Sequence, residues 1–326
     1  MKIIVDAFGG DHAPEEILLG CAQAMEELGV EILLSGDQKR LESAAAKLNL
    51  SEQLAHMEIL HCSEVLTMED EPASVVKEKA GSSMAVGLKA LAEGKGDAFA
   101  SAGNSGALVV GATTIVKRIR GVRRVSFAPI LPKFEGFFML NDGGANVDCR
   151  PEMLLQFGIM GSAYMKKVMG IENPRVGLAN VGSEDHKGDE LRQEALALLR
   201  ACPSIRFVGN VEARDIPYDA ADVVVADGFT GNVMLKTMEG VGKFLLKSLK
   251  EMFLSSTKTK LAAGLVKGDL GQMKKLLDPS EVGGTPFLGI QKPVIKAHGG
   301  SNARAIENAV LRAKAVSYTH LTLPTT

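Results

Sequence analysis

DVVVADGFTGNVMLK, at residues 222–236, shows the pattern from which the fold of this chain is predicted. A short apolar run at residues 222–226 is followed by a polar turn with glycine, and apolar residues then recur at helical spacing over residues 231–249. Short apolar runs of this kind are typical of strands that are buried on both faces. Other such runs lie at residues 2–5, 31–34, 97–100, 175–179 and 205–208, and other helical stretches lie at residues 15–28 and 189–199. The alternation of strand and helix predicts an α/β fold with a mostly parallel sheet flanked by helices.

The domain organisation follows from the few interruptions of this alternation. Residues 125–140 contain the apolar runs SFAPILP and FEGFFML on either side of Lys133, which predicts a pair of antiparallel strands joined by a turn. The sequence has no internal repeat and no linker rich in proline or serine, so residues 1–316 are predicted to form a single domain. The final stretch SYTHLTLPTT, residues 317–326, has no packing pattern and is interpreted as a non-native tail.

The composition is that of an ordinary globular protein of 326 residues. Hydrophobic residues make up 46% and the net charge is -2, so no overall field favours a nucleic acid as partner. The four cysteines are far apart and form no CxxC pair, which favours reduced thiols in the cytoplasm and offers no zinc site. No signal peptide is evident, and no apolar run approaches the roughly 20 residues that span a bilayer. The sequence therefore predicts a cytoplasmic protein whose contact with membranes is peripheral.

Five polar loops rich in glycine follow predicted strands. They comprise residues 6–12, 101–107, 141–148, 180–188 and 227–232. Glycine lets backbone N–H groups approach an anion closely, and a loop that leads into a helix adds the positive end of the helix dipole. Each loop alone can be an ordinary turn between a strand and a helix. Because the carboxyl ends of parallel strands form one edge of a sheet, the five together predict a phosphate-binding site there.

The side chains and glycines of these loops are the candidate ligands of the phosphate. They are Asp6, Gly9, Gly10, Asp11, Asn104, Ser105, Gly106, Asn146, Asp148, Asn180, Asp227 and Gly228. Lys187 is the best candidate for neutralising the phosphate or a developing oxyanion, although a lysine in such a loop can also face solvent. Asn232, at the start of a long helix, can hold an anion or cap the helix, and Asp11 can equally be a cap. His298 lies in a similar loop, IKAHGGSNA, where a structural role is the alternative.

The motifs of several other enzyme classes are missing from the sequence. There is no GxxxxGKS or GxxxxGKT loop and no GxGxxG after a strand, which disfavours nucleoside triphosphates and dinucleotide cofactors. No HExxH motif and no paired cysteines and histidines offer a metal site, and no Ser-His-Asp set or activated cysteine offers a covalent nucleophile. The sequence therefore predicts direct transfer between two bound substrates, without a metal or cofactor.

Six motifs resemble those of one protein family and occur in the family's order. They are VDAFGGDHAPE, SAGNSGALVVGA, GANVDC, NVGSEDHKG, DVVVADGFTGNVMLKTMEG and VIKAHGGSNARAIENAV, and they extend from Met1 to about Val316. The chain thus resembles the bacterial phosphate acyltransferases of the PlsX family, which make acyl phosphate from acyl carrier protein thioester and phosphate for phospholipid synthesis. Phe8, Ser105 and Gly143 stand where the family more often has Met, Thr and Val.

The resemblance implies a fold like that of isocitrate and isopropylmalate dehydrogenases, related to phosphate acetyltransferase. It also implies a homodimer, no cofactor, and a reaction centre lined by Lys187 and Asn232 with His298 beside them. In the implied mechanism, loop amides and Lys187 hold phosphate against the thioester carbonyl while Asn232 stabilises the oxyanion. The main alternative is a phosphate acetyltransferase-like enzyme that uses acyl coenzyme A. A dehydrogenase of similar fold is disfavoured because no cofactor loop is evident, and a membrane scaffold would not need the polar loops.

Two basic segments are candidates for contacts with partners. Residues 253–278 form a basic amphipathic stretch, predicted to protrude as helices, in which Leu261, Leu265 and Lys267 can meet anionic lipid at the inner face of the membrane. The alternative is that this stretch packs on the partner subunit of a dimer. KRIRGVRR, residues 117–124, ends a predicted helix, and its arginines can dock the acidic acyl carrier protein or form a solvated face. These arginines are Arg118, Arg120, Arg123 and Arg124.

Overall fold

The computed structural model describes residues 1–277 and 283–318 of the chain. Within them, the strands are β1 (Lys2–Asp6), β2 (Glu31–Gly36), β3 (Glu58–His61), β4 (Ala98–Ser101), β5 (Ser126–Phe127), β6 (Ile130–Pro132), β7 (Phe137–Asn141), β8 (Arg175–Asn180), β9 (Arg206–Glu212), β10 (Val223–Val225), β11 (Thr285–Leu288) and β12 (Val294–Lys296). The α-helices are α1 (Glu15–Leu28), α2 (Gln38–Leu48), α3 (Ser51–Ala55), α4 (Ser83–Ala92), α5 (Ser105–Gly111), α6 (Pro151–Lys167), α7 (Glu190–Ala201), α8 (Gly228–Leu254), α9 (Thr257–Leu265), α10 (Lys267–Leu277) and α11 (Ala303–Tyr318). A π-helical segment, Ala112–Lys117, continues α5, and short 3₁₀ helices cover Pro72–Val76 and Ile216–Tyr218.

The strands form two sheets. In the first sheet the order is β3-β2-β1-β4-β12-β11-β5, and in the second sheet it is β6-β7-β10-β8-β9. Neighbouring strands are parallel except where β11 pairs with β12 and with β5, and where β6 pairs with β7. The predicted α/β fold with mostly parallel strands is confirmed. Its division into two sheets was not predicted, because the strands of both sheets are equally short and apolar.

The antiparallel pair predicted within residues 125–140 consists of β6 and β7. Ile130 lies opposite Met139, and the Lys133 N–H donates to Gly136 O at 3.1 Å to close the turn between the strands. The buried Lys133 side chain forms an ion pair with Asp222 at 2.9 Å, just before β10 begins. This charge pair therefore lies at the end of the second sheet that is opposite to the glycine-rich loops.

The chain crosses between the sheets twice. It builds five strands of the first sheet, then the whole second sheet, and returns with β11 and β12, so that β12 pairs with β4. Helix α11 then packs against α1 so closely that a Cβ on Gly20 would lie 2.6 Å from Ile306 Cβ. The single domain predicted for residues 1–316 stays a prediction. Helix α11 extends to Tyr318, and the rest of the predicted tail, residues 319–326, lies outside the described residues.

The carboxyl ends of the parallel strands carry the polar loops. Strands β1, β4 and β12 are parallel neighbours in the first sheet, as are β7, β10 and β8 in the second. Val223, Val224 and Val225 of β10 are each 0% exposed. Burial on both faces explains why β10 is an unbroken run of valine, and it makes the strand a rigid support for the loop that follows.

Candidate active site

The glycine-rich loops form two groups, one at each sheet. The first loop group comprises residues 6–12, 101–107 and 297–302, which follow β1, β4 and β12. The second loop group comprises residues 141–148, 180–188 and 227–232, which follow β7, β8 and β10. Each group brings together chain segments that are far apart in the sequence, as expected for the edge of a parallel sheet.

Asp6 joins two loops of the first loop group. Its buried carboxylate accepts hydrogen bonds from Ser101 Oγ at 2.7 Å and from the Phe8 N–H at 3.3 Å. Burial raises the pKa of Asp6, although hydrogen bonds from Ser83 and Ser101 and the charge of Lys296 act in the opposite direction. Because the protein encloses this carboxylate, we interpret Asp6 as a residue that holds loops together.

The glycines after β1 are required by close backbone packing. A Cβ on Gly9 would lie 2.7 Å from Gly103 N, and Gly10 has a φ of +105°, which glycine adopts far more readily than other residues. The Asp11 N–H donates to Gly299 O at 2.8 Å, so this loop also contacts the loop after β12. The three loops of the first group therefore share one continuous backbone surface.

Asn104 caps α5, and both polar atoms of its side-chain amide form hydrogen bonds within the protein. Its Oδ1 accepts a hydrogen bond from the Ala107 N–H at 3.1 Å, and its Nδ2 donates to Met68 O and to Asp70 O, each at 3.2 Å. Asn104 therefore fixes the loop after β4. Ser105, the first residue of α5, presents an exposed side chain beside it, and Gly106 follows in the same helical turn.

The imidazole of His298 has a defined hydrogen-bonding state. Its Nδ1 accepts a hydrogen bond from the Gly300 N–H at 3.1 Å, so the proton of a neutral ring is on Nε2. Although His298 reaches solvent, desolvation lowers its pKa; Glu239 opposes this shift, and Lys296 and Lys236 add to it. His298 is therefore a neutral hydrogen-bond donor near neutral pH.

Asp142 organises the loop after β7. It is 0% exposed, and its carboxylate accepts hydrogen bonds from the Phe127 N–H at 2.8 Å, the Ala145 N–H at 3.1 Å and the Asn146 N–H at 2.7 Å. Burial raises the pKa of Asp142, while these donated hydrogen bonds favour its ionised form. The sequence alone did not indicate this role; its only signal was an aspartate directly after a strand, before two glycines.

Asn146 links the loop after β7 to the loop after β10. Its Nδ2 donates to Val125 O and to Asp142 Oδ2, both at 2.8 Å, and its carbonyl accepts from the Gly228 N–H at 2.7 Å. A Cβ on Gly228 would lie 2.5 Å from the same carbonyl oxygen, so glycine is required there. Asp148, which was also predicted as a ligand, is exposed at the end of this loop.

Asp227 is the N-cap of α8, and its carboxylate is already paired with the side chain of an arginine. It accepts hydrogen bonds from Thr230 N at 3.0 Å and Thr230 Oγ1 at 2.7 Å, and it forms an ion pair with Arg192. Burial opposes ionisation, but the bonds from Thr230 and the charge of Arg192 hold the pKa of Asp227 below its ordinary value. Arg192 also pairs with Asp189 at 2.7 Å. The sequence did not indicate Arg192, which ties the start of α7 to the start of α8.

Lys187 and Asn232 lie at neighbouring strand ends of the second sheet. Lys187 is half-buried in the loop after β8, whose shape is set by a hydrogen bond of 3.2 Å from Asn180 Nδ2 to Lys187 O. Asn232 is exposed in the first turns of α8. Its Oδ1 would lie 3.3 Å from a Cβ on Gly144, so its amide rests against the loop after β7.

Helix α8 connects the two loop groups. It begins at Gly228 in the second loop group, and the charges of its residues Lys236, Glu239 and Lys243 all act on His298 in the first. Lys236 and Glu239 form an ion pair at 2.9 Å on that side of the helix. Helix α8 therefore extends, over its first four turns, from the second loop group toward His298 of the first.

Three of the four arginines predicted as a docking surface come together, outside both loop groups. Arg118, Arg123 and Arg124 line a shallow groove of about 620 Å³, together with Arg150 at the start of α6. We call these four residues the arginine groove. Arg120 is exposed but does not line it.

The sequence has close relatives over almost its whole length. Residues 1–322 match the model of a family described as "Fatty acid synthesis protein". The phosphate acyltransferase of Oceanobacillus iheyensis is 50% identical over 315 residues, which cover 96% of this chain and 93% of that protein. The chain belongs to the phosphate acyltransferase family. The phosphate acyltransferase of Alkaliphilus oremlandii is 47% identical over 310 residues, covering 95% and 92% of the two chains. The predicted family is confirmed, and the chain is an acyltransferase.

Solved structures similar to this member of the phosphate acyltransferase family are phosphotransacylases. A phosphotransacetylase from Streptococcus pyogenes has a TM-score of 0.64 at 18% identity, covering 98% of this chain and 94% of that one. EutD phosphotransacetylase from Staphylococcus aureus has a TM-score of 0.62 at 17% identity, covering 97% and 94%. These likenesses show the fold alone, and they confirm the α/β fold that the family resemblance implied.

Proposed function

We propose that this enzyme transfers a long-chain fatty acyl group from acyl carrier protein to inorganic phosphate. The product is an acyl phosphate, which serves phospholipid (phosphatidic acid) synthesis. The observation that carries the proposal is the second loop group, where the ammonium of Lys187 and the amide of Asn232 lie on neighbouring strand ends among glycine loops. The relatives named phosphate acyltransferases support phosphate as the acceptor.

The chemistry asks the protein to position two substrates and to stabilise charge. An oxygen of phosphate attacks the carbonyl carbon of the thioester, and a tetrahedral oxyanion forms. The C–S bond then breaks, its electron pair leaves on the sulfur of the pantetheine thiolate, and the new C–O bond to phosphate remains. Neither step forms a bond to the enzyme, so donors fixed in advance supply the catalysis.

Each predicted catalytic residue has a role that suits its place in the fold. Lys187 neutralises the phosphate, while N–H groups of the glycine loops bind its other oxygens. Asn232 donates a hydrogen bond to the oxyanion of the tetrahedral intermediate. His298 adds a second neutral donor through Nε2–H, since its Nδ1 is held by Gly300. Asp142 and the other enclosed polar groups keep the loops in shape.

Gly144→Ala is expected to lower kcat/KM by about 10- to 100-fold, because it moves Asn232 away from the oxyanion. Gly144 has a φ of +139°, and a methyl group there would lie 3.3 Å from Asn232 Oδ1. Steady-state kinetics measure the loss. Gly170→Ala is a control for alanine at a positive φ away from the loops, since Gly170 has a φ of +74° and open space around its Cβ position. Unchanged kcat/KM in Gly144→Ala would contradict the role given to the contact with Asn232.

The arginine groove supports acyl carrier protein as the donor. Four arginines line it on a chain whose net charge is only -2, and one of them, Arg123, also forms an ion pair with Glu152 at 3.8 Å. An acidic carrier protein complements this surface, and charge complementarity of this kind speeds association and is weakened by salt. Acyl coenzyme A is the alternative donor, since the same loops suit the same attack on its thioester.

A hydroxylamine trap tests the proposed reaction and its donor. Purified enzyme is mixed with phosphate and either acyl carrier protein thioester or acyl coenzyme A of the same chain length, and acyl phosphate is captured as the hydroxamate. We expect hydroxamate from the carrier-protein thioester, in amounts that fall as salt rises. Equal or greater turnover of acyl coenzyme A would favour the phosphate acetyltransferase-like alternative. No hydroxamate from either donor would overturn the proposed function.

A homodimer is also part of the proposal. Helix α8 carries Val233, Val241, Phe244, Leu245 and Met252, which are between 44% and 67% exposed. Their spacing of three, four or seven to eight residues places them along one side of the helix. An exposed apolar stripe of this length is typical of a surface that packs against another protein, and a second copy of this chain can cover it. Sedimentation as a monomer at micromolar concentration would contradict this part.

The stretch at 253–278 is proposed to contact the inner face of the membrane. We propose that the enzyme is cytoplasmic, because its cysteines are free thiols, which are stable in that compartment. Within the described ranges, no helix is long and apolar enough to cross a bilayer. None of the residues of α9 is buried, and Leu261 and Leu265 are 70% and 90% exposed. Lys267, at the start of α10, adds a positive charge that suits anionic lipid. Asp278, the last residue of the stretch, lies outside the described residues.

Leu261→Glu combined with Leu265→Glu is expected to weaken binding to anionic vesicles by about tenfold or more, because it removes apolar area and adds negative charge. Vesicle flotation at several lipid concentrations measures the effect. The control is Leu311→Glu. Leu311 lies in α11 and is also exposed, with an exposed fraction of 46%. Equally strong flotation of all variants would contradict the membrane role. Packing on the partner subunit of a dimer would then be the remaining role for this stretch.

A further inference from the structure

Lys296 is a buried cation that the proposed mechanism does not yet use. It ends β12 and is 5% exposed. Its Nζ donates to Ala102 O at 3.2 Å and also to Ala297 O. Because Ala102 belongs to the loop after β4, one ammonium group joins the ends of two neighbouring strands of the first sheet. Burying an ammonium group is costly even when it is hydrogen-bonded, so its place at the base of the glycine loops calls for an explanation.

The charges around Lys296 come from the loop after β1 and from α8. Burial disfavours its charged form, whereas Asp6 and Asp11 favour it and Lys236 opposes it. Together these influences lower the pKa of Lys296 to about 8, which leaves it mostly protonated at neutral pH. Lys296 therefore places a fixed positive charge beneath the first loop group.

The ammonium group of Lys296 is linked to His298 by a hydrogen bond to the backbone. The carbonyl of Ala297, which Lys296 holds, belongs to the peptide bond that precedes His298. On the other side, the His298 carbonyl accepts from Ser301 Oγ at 2.6 Å and its Nδ1 accepts from the Gly300 N–H. The backbone on both sides of the His298 side chain is thus held by Lys296 and Ser301, and the imidazole itself is held by the Gly300 N–H.

The charged groups that face His298 come from two elements. Apart from desolvation, Glu239 of α8 raises the pKa of His298, and Lys296 of β12 and Lys236 and Lys243 of α8 lower it. Lys236 and Lys243 are exposed, so water screens their charges. Lys296 is the buried cation among them, and of the three lysines its charge lowers the pKa of His298 most.

We propose that Lys296 is a positioning residue for acyl transfer, whose buried ammonium joins the ends of β4 and β12 and holds His298 as a neutral hydrogen-bond donor. This inference rests on the role that the proposed function gives to His298. A protonated imidazole would carry a hydrogen on Nδ1 that points at the Gly300 N–H, so the ring would have to leave its present place. The positive charge of Lys296 disfavours that state and keeps Nε2–H available to the substrate.

NMR titration of His298 tests the proposal in the full chain without turnover. The chain has six histidines, and the signal of His298 is assigned by its absence from His298→Gln. Lys296→Met keeps most of the side-chain volume but removes the charge, and it is expected to raise the pKa of His298. Lys296→Arg keeps a charge and is expected to leave that pKa close to its original value. Lys243→Gln removes a screened cation and is expected to produce a much smaller shift.

The pH profile of kcat/KM separates positioning from a general loss of structure. In Lys296→Met, the acid limb is expected to move upward together with the pKa of His298, whereas a purely structural loss would lower the whole profile without moving it. If Lys296→Met does not fold, Lys296→Gln, which can still donate to Ala102 O, is titrated in its place. An unchanged pKa of His298 in a folded, uncharged variant would overturn the proposal. Since the titration needs no acyl donor, a shifted pKa together with no hydroxamate would contradict the proposed function alone.

Discussion

Lys187→Ala is expected to lower kcat/KM for phosphate by about a thousandfold while leaving the fold intact. The contacts that shape the loop after β8 use the backbone of Lys187: its N–H donates to Glu184 O at 3.1 Å, and its carbonyl accepts from Asn180. Removing the half-buried side chain therefore leaves these loop contacts in place. It does remove the cation that, in the proposed function, balances the phosphate and the developing oxyanion. Steady-state kinetics with the hydroxylamine trap measure the loss, and circular dichroism checks the fold.

Two further variants give this prediction its controls. Lys187→Arg keeps the positive charge in a different shape and is expected to retain part of the activity. Lys167→Ala removes an exposed lysine from the last turn of α6, which ends near the amino end of β8 and away from the loops, and is expected to change nothing. Activity of Lys187→Ala close to that of the unchanged enzyme would show that Lys187 only faces solvent.

Asp142→Ala is expected to destabilise the fold by about 3 kcal/mol and to abolish turnover. The Asp142 carboxylate accepts hydrogen bonds from the N–H groups of Phe127, Gly144, Ala145 and Asn146, and from Asn146 Nδ2. Alanine would leave these donors without a partner, and those that water cannot reach would carry the cost of desolvation. The loop after β7 would lose its shape, and with it the surface against which Asn232 rests. Urea denaturation measures the stability, and the hydroxylamine trap measures turnover.

The controls for Asp142 lie at the same residue and in the same loop. Asp142→Asn keeps one acceptor oxygen and is expected to show an intermediate loss of stability. Asp148→Ala changes an exposed carboxylate and is expected to alter the free energy of unfolding by less than about 0.5 kcal/mol. Normal stability of Asp142→Ala would show that its loop is held by other contacts, and normal turnover would show that the shape of the loop is not needed.

The parts of this fold that depend on short-range pattern could be predicted from the sequence. A helix was predicted at residues 15–28 and is observed as α1, Glu15–Leu28, because its apolar residues recur at helical spacing. A strand was predicted at residues 222–226 and is observed at Val223–Val225, because a strand buried on both faces is a continuous apolar run. Both patterns are complete within one element, so neither requires knowledge of the neighbours.

The polar contacts of the candidate site could not be predicted in the same way. The hydrogen bond between Ser101 and Asp6 spans 95 residues, and the one from Lys296 to Ala102 spans 194. Such contacts depend on which strands become neighbours in the sheet. Asn104 and Asp227 illustrate a second difficulty: an acceptor placed before a helix is what a cap requires, and a polar side chain at a helix start is also what an anion site offers. Residue type alone cannot separate the two uses.

The position of β12 inside the first sheet affects the order in which the two sheets can assemble while the chain is being synthesised. Residues 130–232 can assemble the entire second sheet and its loops while later residues are still being synthesised. Strand β4, by contrast, keeps an open edge until Val294–Lys296 emerge to pair with it. An open edge invites pairing with other chains, so the nascent protein is most exposed to aggregation, and most in need of a chaperone, during this interval. Lys296 and His298, which are proposed to act together, therefore reach the first loop group only when β12 pairs with β4.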